Sequence, residues 1–153
     1  MIRRFVRVLL AGALAALVAG CVTAPGNLDP AAVSYTPVDK IQWKDNPAGT
    51  NASAMIYGDL AKPAPYAYFV KWKAGNMSRP HFHANDRHIV VLSGTWWVGT
   101  GTKFDPDSTV PMGAGTYVLH SAKGIHYDGA KQGDAIIMIY GVGPAASTPA
   151  EQK

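Results

Sequence analysis

Apolar and polar positions alternate in short bursts along residues 41–142, and no burst sustains a helical period. The clearest is Tyr66-Ala67-Tyr68-Phe69-Val70-Lys71-Trp72-Lys73, whose second half switches between apolar and charged positions at each step. Period two marks a half-buried strand, because successive side chains leave a strand on opposite faces. Comparable runs, rich in β-branched and aromatic residues, lie at 54–60, 88–92, 96–99, 116–120 and 135–140. Turn-favouring residues separate them: Gly75-Asn76, Ser93-Gly94, 99–101, 105–107, 113–115 and 131–134. Short strands at this spacing predict a closed all-β domain over 41–143. Two flanking stretches lack the pattern. Residues 22–40, rich in proline, alanine and small polar residues, predict a tether, and 144–153 predict a mobile tail.

The first twenty residues follow other rules. Three arginines within Met1–Arg7 precede an uncharged apolar run over 8–19, and Gly20-Cys21 follows. That run is shorter than the roughly 20 residues a membrane span needs, and it reads as an export signal. Val18-Ala19-Gly20-Cys21 resembles a bacterial lipobox, which implies acylation of Cys21 and a lipoprotein facing the periplasm, with Val22 pointing to the outer membrane. The alternative is an ordinary secretory signal cut after Ala24. Cys21 is the sole cysteine, so no disulfide forms within the chain.

Charge changes the picture only through this signal. The full chain carries +4, but residues 1–20 hold three of the fourteen basic residues and no acid. What remains is eleven basic against ten acidic residues, or +1. No basic patch or aromatic-plus-basic pattern points to nucleic acid. The expected partner is a small molecule.

Candidate chemistry concentrates in Gly75-Asn76-Met77-Ser78-Arg79-Pro80-His81-Phe82-His83. On extended backbone His81 and His83 share a face, close enough to share a metal ion. A hairpin could return His126 to the pair.

The segment from Gly75 to Gly94 resembles the first motif of the cupin superfamily: a glycine, five residues, His-x-His, three or four residues, a glutamate, six residues and a glycine. Pro111 to His126 resembles the second, with its proline, glycines and late histidine. Asn85–His88, Ser93–Gly99 and His126–Ala130 are similar to small ChrR-type cupins. The resemblance implies a double-stranded β-helix, or jelly-roll barrel, and one divalent metal ion held by His81, His83 and His126. Iron is the first expectation; zinc, manganese and nickel are alternatives. It also implies oxygenase-like chemistry in which Arg87 or Tyr127 positions the substrate, and homodimers occur among such proteins. A non-catalytic metal- or ligand-binding lipoprotein is the second reading.

The departure from the motif matters. Seven places before Gly94, where the glutamate belongs, stands Arg87, and the chain's one glutamate is Glu151. The expected donor set is therefore three neutral histidines with open coordination positions. A guanidinium 5 Å from a divalent ion, at an effective dielectric near 20, is repelled by about 6–7 kcal/mol. Arg87 is expected either to pair with an acid, Asp86 or Asp128, or to receive an anionic substrate. His88 has the opposite parity and is expected to point outward; a one-residue slip in register would make it a ligand instead. His120 is open as a ligand or as an orienting neighbour. Asp128 is open as a partner for a histidine or Arg87, or as part of a turn with Gly129.

Overall fold

The structure, a computed structural model, describes residues 28–152. The export signal expected over 1–20 and the acylation expected at Cys21 lie outside them. Residues 28–36 are exposed and carry one turn, in which the amides of Ala32 and Val33 reach the carbonyl of Asp29. From Pro37 onward the chain is a separate compact unit. No helix among the described residues is long and apolar enough to cross a membrane.

Among the described residues that unit contains twelve strands: β1 (Lys44–Asp45), β2 (Asn51–Tyr57), β3 (Pro65–Trp72), β4 (Asn76–Met77), β5 (His81–His83), β6 (Arg87–Ser93), β7 (Thr95–Thr100), β8 (Val110–Gly113), β9 (Tyr117–His120), β10 (His126–Ala130), β11 (Ala135–Val142) and β12 (Ser147–Pro149). They form two antiparallel sheets, ordered β1-β2-β3-β11-β6-β9 and β12-β5-β10-β7-β8, with β4 also paired to β10. This is the expected double-stranded β-helix, and the six sequence-predicted strands are all present within it.

Alternation decides which side chains enter the barrel. On β11, Ala135, Ile137 and Ile139 are buried while Tyr140 and Val142 are exposed. On β6, Arg87, Ile89 and Val91 face inward and His88 is exposed. The core joins these to Tyr66, Val70 and Trp72 of β3 and to Trp96 and Val98 of β7. Full burial of each large apolar side chain contributes roughly 1.5–3 kcal/mol. The Ser93-Gly94 turn links β6 to β7 with Gly94 at φ +72°, and a Cβ there would sit 2.1 Å from the Asp134 carbonyl oxygen. Only glycine fits such a position without strain.

The C-terminal stretch departs from the mobile tail expected over 144–153. Ser147, Thr148 and Pro149 pair with His83, Phe82 and His81. The Ala150 amide reaches the Pro80 carbonyl, and that of Gln152 reaches Thr102. Arg79 forms an ion pair with Glu151. The segment has no apolar alternation because it is an exposed edge strand, held by backbone pairing rather than by a buried face.

Candidate metal centre

β5 is a three-residue strand between two partners. His81 stands opposite His126 of β10 on one side and opposite Pro149 of β12 on the other. Period two then puts His81 and His83 on the face that His126 shares. Ring centroids lie 4.9 Å apart for His81 and His83, 4.5 Å for His81 and His126, and 5.3 Å for His83 and His126. Their candidate ligand nitrogens all lie within 4.8 Å of one another. The structure thus brings together the three histidines singled out from the sequence.

Each ring is oriented by its other nitrogen. His81 Nδ1 donates to the Arg79 carbonyl at 2.8 Å, His83 Nδ1 to the Ala146 carbonyl at 2.9 Å and His126 Nδ1 to the Gly124 carbonyl at 2.9 Å. A carbonyl only accepts, so Nδ1 carries the proton and Nε2 the lone pair in all three rings. This is how metal-binding imidazoles are held. His126 Nε2 is buried without a hydrogen-bond partner. The donors fit a divalent cation. If one is bound here, His81, His83 and His126 could hold it.

Two further inward groups belong to the same cluster. His120 lies directly across from Arg87 on the neighbouring strand, with its ring 3.7 Å from that of His126 and 5.4 Å from that of Trp96. Asp128, two residues past His126, points the same way, with Oδ2 3.9 Å from His126 Nε2. Period two on β10 was the available signal for Asp128, and the Arg87–His120 pairing could be read only with the strand register known. Together with Tyr68, Trp96 and Arg87 these side chains line a cavity of about 470 Å³.

Arg87 enters this cavity and is 8% exposed. The expected ion pair is absent. Asp86 instead accepts the Ala122 amide, and among the described residues no carboxylate lies within ion-pair distance of the guanidinium. Its Nη1 donates to His83 Nε2 and its Nη2 to the Tyr68 hydroxyl, while Nε has no partner. Burial, and next the Arg87 charge, push the His83 imidazole down to about 3. Burial, and next His126, push His120 down to about 2. His126 is also lowered, by burial against the opposing pull of Asp128. These three imidazoles are neutral at physiological pH, the state a cation requires.

Tyr127 does not join the cluster. It alternates with His126 and Asp128, so its ring leaves the opposite face of β10. There it is 1% exposed, and its hydroxyl bonds the Asp105 carbonyl at 3.0 Å and Ser108 Oγ at 3.1 Å. A Cβ on Gly99 would sit 2.3 Å from that ring, so Gly99 makes room for it. Tyr127 therefore anchors the 105–108 loop and does not position a substrate in the cavity. His88 points outward as expected and meets the Tyr117 hydroxyl at 2.8 Å.

A double-stranded β-helix with inward histidines on β5 and β10 defines a cupin. The model of the ChrR cupin-like domain matches residues 32–146, and the chain belongs to that family. No curated protein matches it. Among solved structures it is similar to the polyketide cyclase RemF from Streptomyces resistomycificus, at 12% identity and a TM-score of 0.64 over 79% of this chain and 87% of that one. An RmlC-like cupin from Shewanella frigidimarina is similar at 13% identity and 0.57, covering 71% and 90%. The DMSP lyase DddQ from Ruegeria pomeroyi is similar at 18% identity and 0.57, covering 73% and 64%. At such identities the likeness is one of fold.

Proposed function

We propose that this cupin is a metal-dependent enzyme of the cell envelope that acts on a small anionic molecule, with oxygenase-type chemistry and iron as the first candidates. In this reading the chain is exported and tethered by lipid at Cys21. His81, His83 and His126 hold one divalent ion, and Arg87 receives the anionic group of the substrate. The observation that carries it is the Arg87 guanidinium, buried with no carboxylate within ion-pair distance among the described residues, beside three imidazoles with oriented Nε2 atoms. An ion left unpaired in a protein interior costs several kcal/mol, so the site is set to take up an anion. A bound ion would supply Lewis acidity and, as iron, a redox centre for oxygen. This chain's own residues do the rest. Arg87 and the Tyr68 hydroxyl orient the anion, and Trp96 closes the apolar floor.

A non-catalytic metal- or ligand-binding module is the second reading. The hydrogen bond from Arg87 to His83 Nε2 favours its ligand-binding form, because it occupies a lone pair that any metal held by the triad would need. Metal analysis of the mature protein, followed by oxygen uptake with thiols, diketones and phenolic acids, separates the two. Stoichiometric iron with uptake on one class supports the enzyme. Zinc with no turnover supports a metal-binding module, and protein without metal leaves only the ligand-binding form.

A further inference from the structure

We propose that His120, His126 and Asp128 form a divalent-cation seat of their own, overlapping the His81–His83–His126 position at a single atom, His126 Nε2. The inference rests on the metal-binding part of the reading above and changes the ligands.

Placement comes first. The three side chains project into the barrel from adjacent parts of β9 and β10, they are 8%, 4% and 7% exposed, and their ligand atoms lie within 4.8 Å of one another. His120 stands opposite Arg87, beside the place where a glutamate would complete the resembled motif.

Lone pairs then discriminate between the two positions. In the position formed by His81, His83 and His126, His83 Nε2 already accepts a hydrogen bond from Arg87. In the position formed by His120, His126 and Asp128, both Nε2 atoms are buried and have no partner. Buried polar atoms are nearly always satisfied, and a cation between these rings would satisfy both.

Charge points the same way. Asp128 is the one carboxylate among the residues lining the cavity. Its Oδ2 is 3.9 Å from His126 Nε2, too far for a hydrogen bond and close enough for both to reach one ion. Two imidazoles and a carboxylate suit ferrous iron, manganese or zinc better than neutral donors alone. The carboxylate missing from position 87 is thus replaced from position 128. Because His126 Nδ1 is committed to the Gly124 carbonyl, Nε2 serves one ion at a time, and the two seats exclude each other.

The test is titration of the mature protein with Co²⁺, followed by visible absorption, in a buffer free of carboxylates and phosphate. Asp128→Asn and His120→Ala are each expected to weaken Co²⁺ binding by about tenfold or more, since even groups that only orient ligands are worth that much. Both should alter the ligand-field bands, whereas His88→Ala, on the outward face of β6, should titrate like the parent. If Asp128→Asn and His120→Ala titrate like the parent while His83→Ala loses binding, the new seat is wrong and the three-histidine reading stands. If His126→Ala also binds as the parent does, both fail. Asp128→Asn keeps the side-chain shape, so it carries the test should His120→Ala not fold.

Discussion

Along β6 the inward positions run Arg87, Ile89, Val91; on β11 beside it they run Gly141, Ile139, Ile137 in register. On β10 they run His126, Asp128, Ala130, opposite Thr100 and Val98 of β7 for the first two. One part of a single barrel interior is thus aliphatic, with Ile89, Ile137 and Ile139 also lining the cavity, and the other is crowded with imidazoles, a guanidinium and a carboxylate. Shared strands and shared register carry both, so the contrast lies in side chains alone. The apolar end gains from burial. At the polar end burial opposes charge and leaves four polar atoms, Arg87 Nε, Trp96 Nε1, His120 Nε2 and His126 Nε2, without partners. Stability resides at one end, and the capacity to bind something at the other.

Acid should separate the two ends most strongly. His83 and His120 are held near 3 and 2 in the fold, against about 6.5 when the chain unfolds. Between those values the unfolded chain binds more protons than the native one, so stability is complete above pH 6.5 and falls as pH drops. Each such group costs on the order of 1 kcal/mol per pH unit, so the pair costs several kcal/mol across two units. Urea unfolding of chelator-treated protein between pH 7 and 4.5 should show this slope, and His120→Ala should flatten it. A pH-independent midpoint would mean that these rings are not buried in neutral form.

The apolar end should respond to volume and ignore metal. Ile137 is 2% exposed, and Ile137→Ala should cost about 2–5 kcal/mol through lost burial and the cavity left behind. Thermal unfolding reads that loss. Co²⁺ affinity of the folded variant should stay that of the parent. A large fall in affinity would show that the two ends are mechanically coupled.

This division also explains what could be read without the structure. Strands β3, β6, β7 and β11 bury aliphatic or aromatic residues at period two, so their pattern reports their fold. β10 reads His-Tyr-Asp-Gly-Ala and carries little strand propensity, although all five residues are buried. β5 is three residues long, and β12 buries nothing. Residues chosen for chemistry at these places erase the local signal, and tertiary pairing restores the strand. The histidine triad was legible because its spacing survives in the resembled motif. The inward side of Arg87 was legible from its parity, but its partners His83 and Tyr68 were not, since they meet it only through tertiary packing.

Tyr127→Phe is the finest discriminator, because parity makes a sharp statement about a residue that lies between two cavity groups. The phenol of Tyr127 bonds the Asp105 carbonyl and Ser108 on the far side of the sheet. Removing the hydroxyl should cost about 1 kcal/mol, the usual net value of such a bond. Binding of Co²⁺ or of a small carboxylate in the cavity should be unchanged, because the ring never faces it. Equilibrium unfolding and titration on the same sample test both halves. An intact stability with weakened ligand binding would reverse the assignment, placing this hydroxyl with the imidazoles on its own strand and making the two faces of β10 a single functional surface.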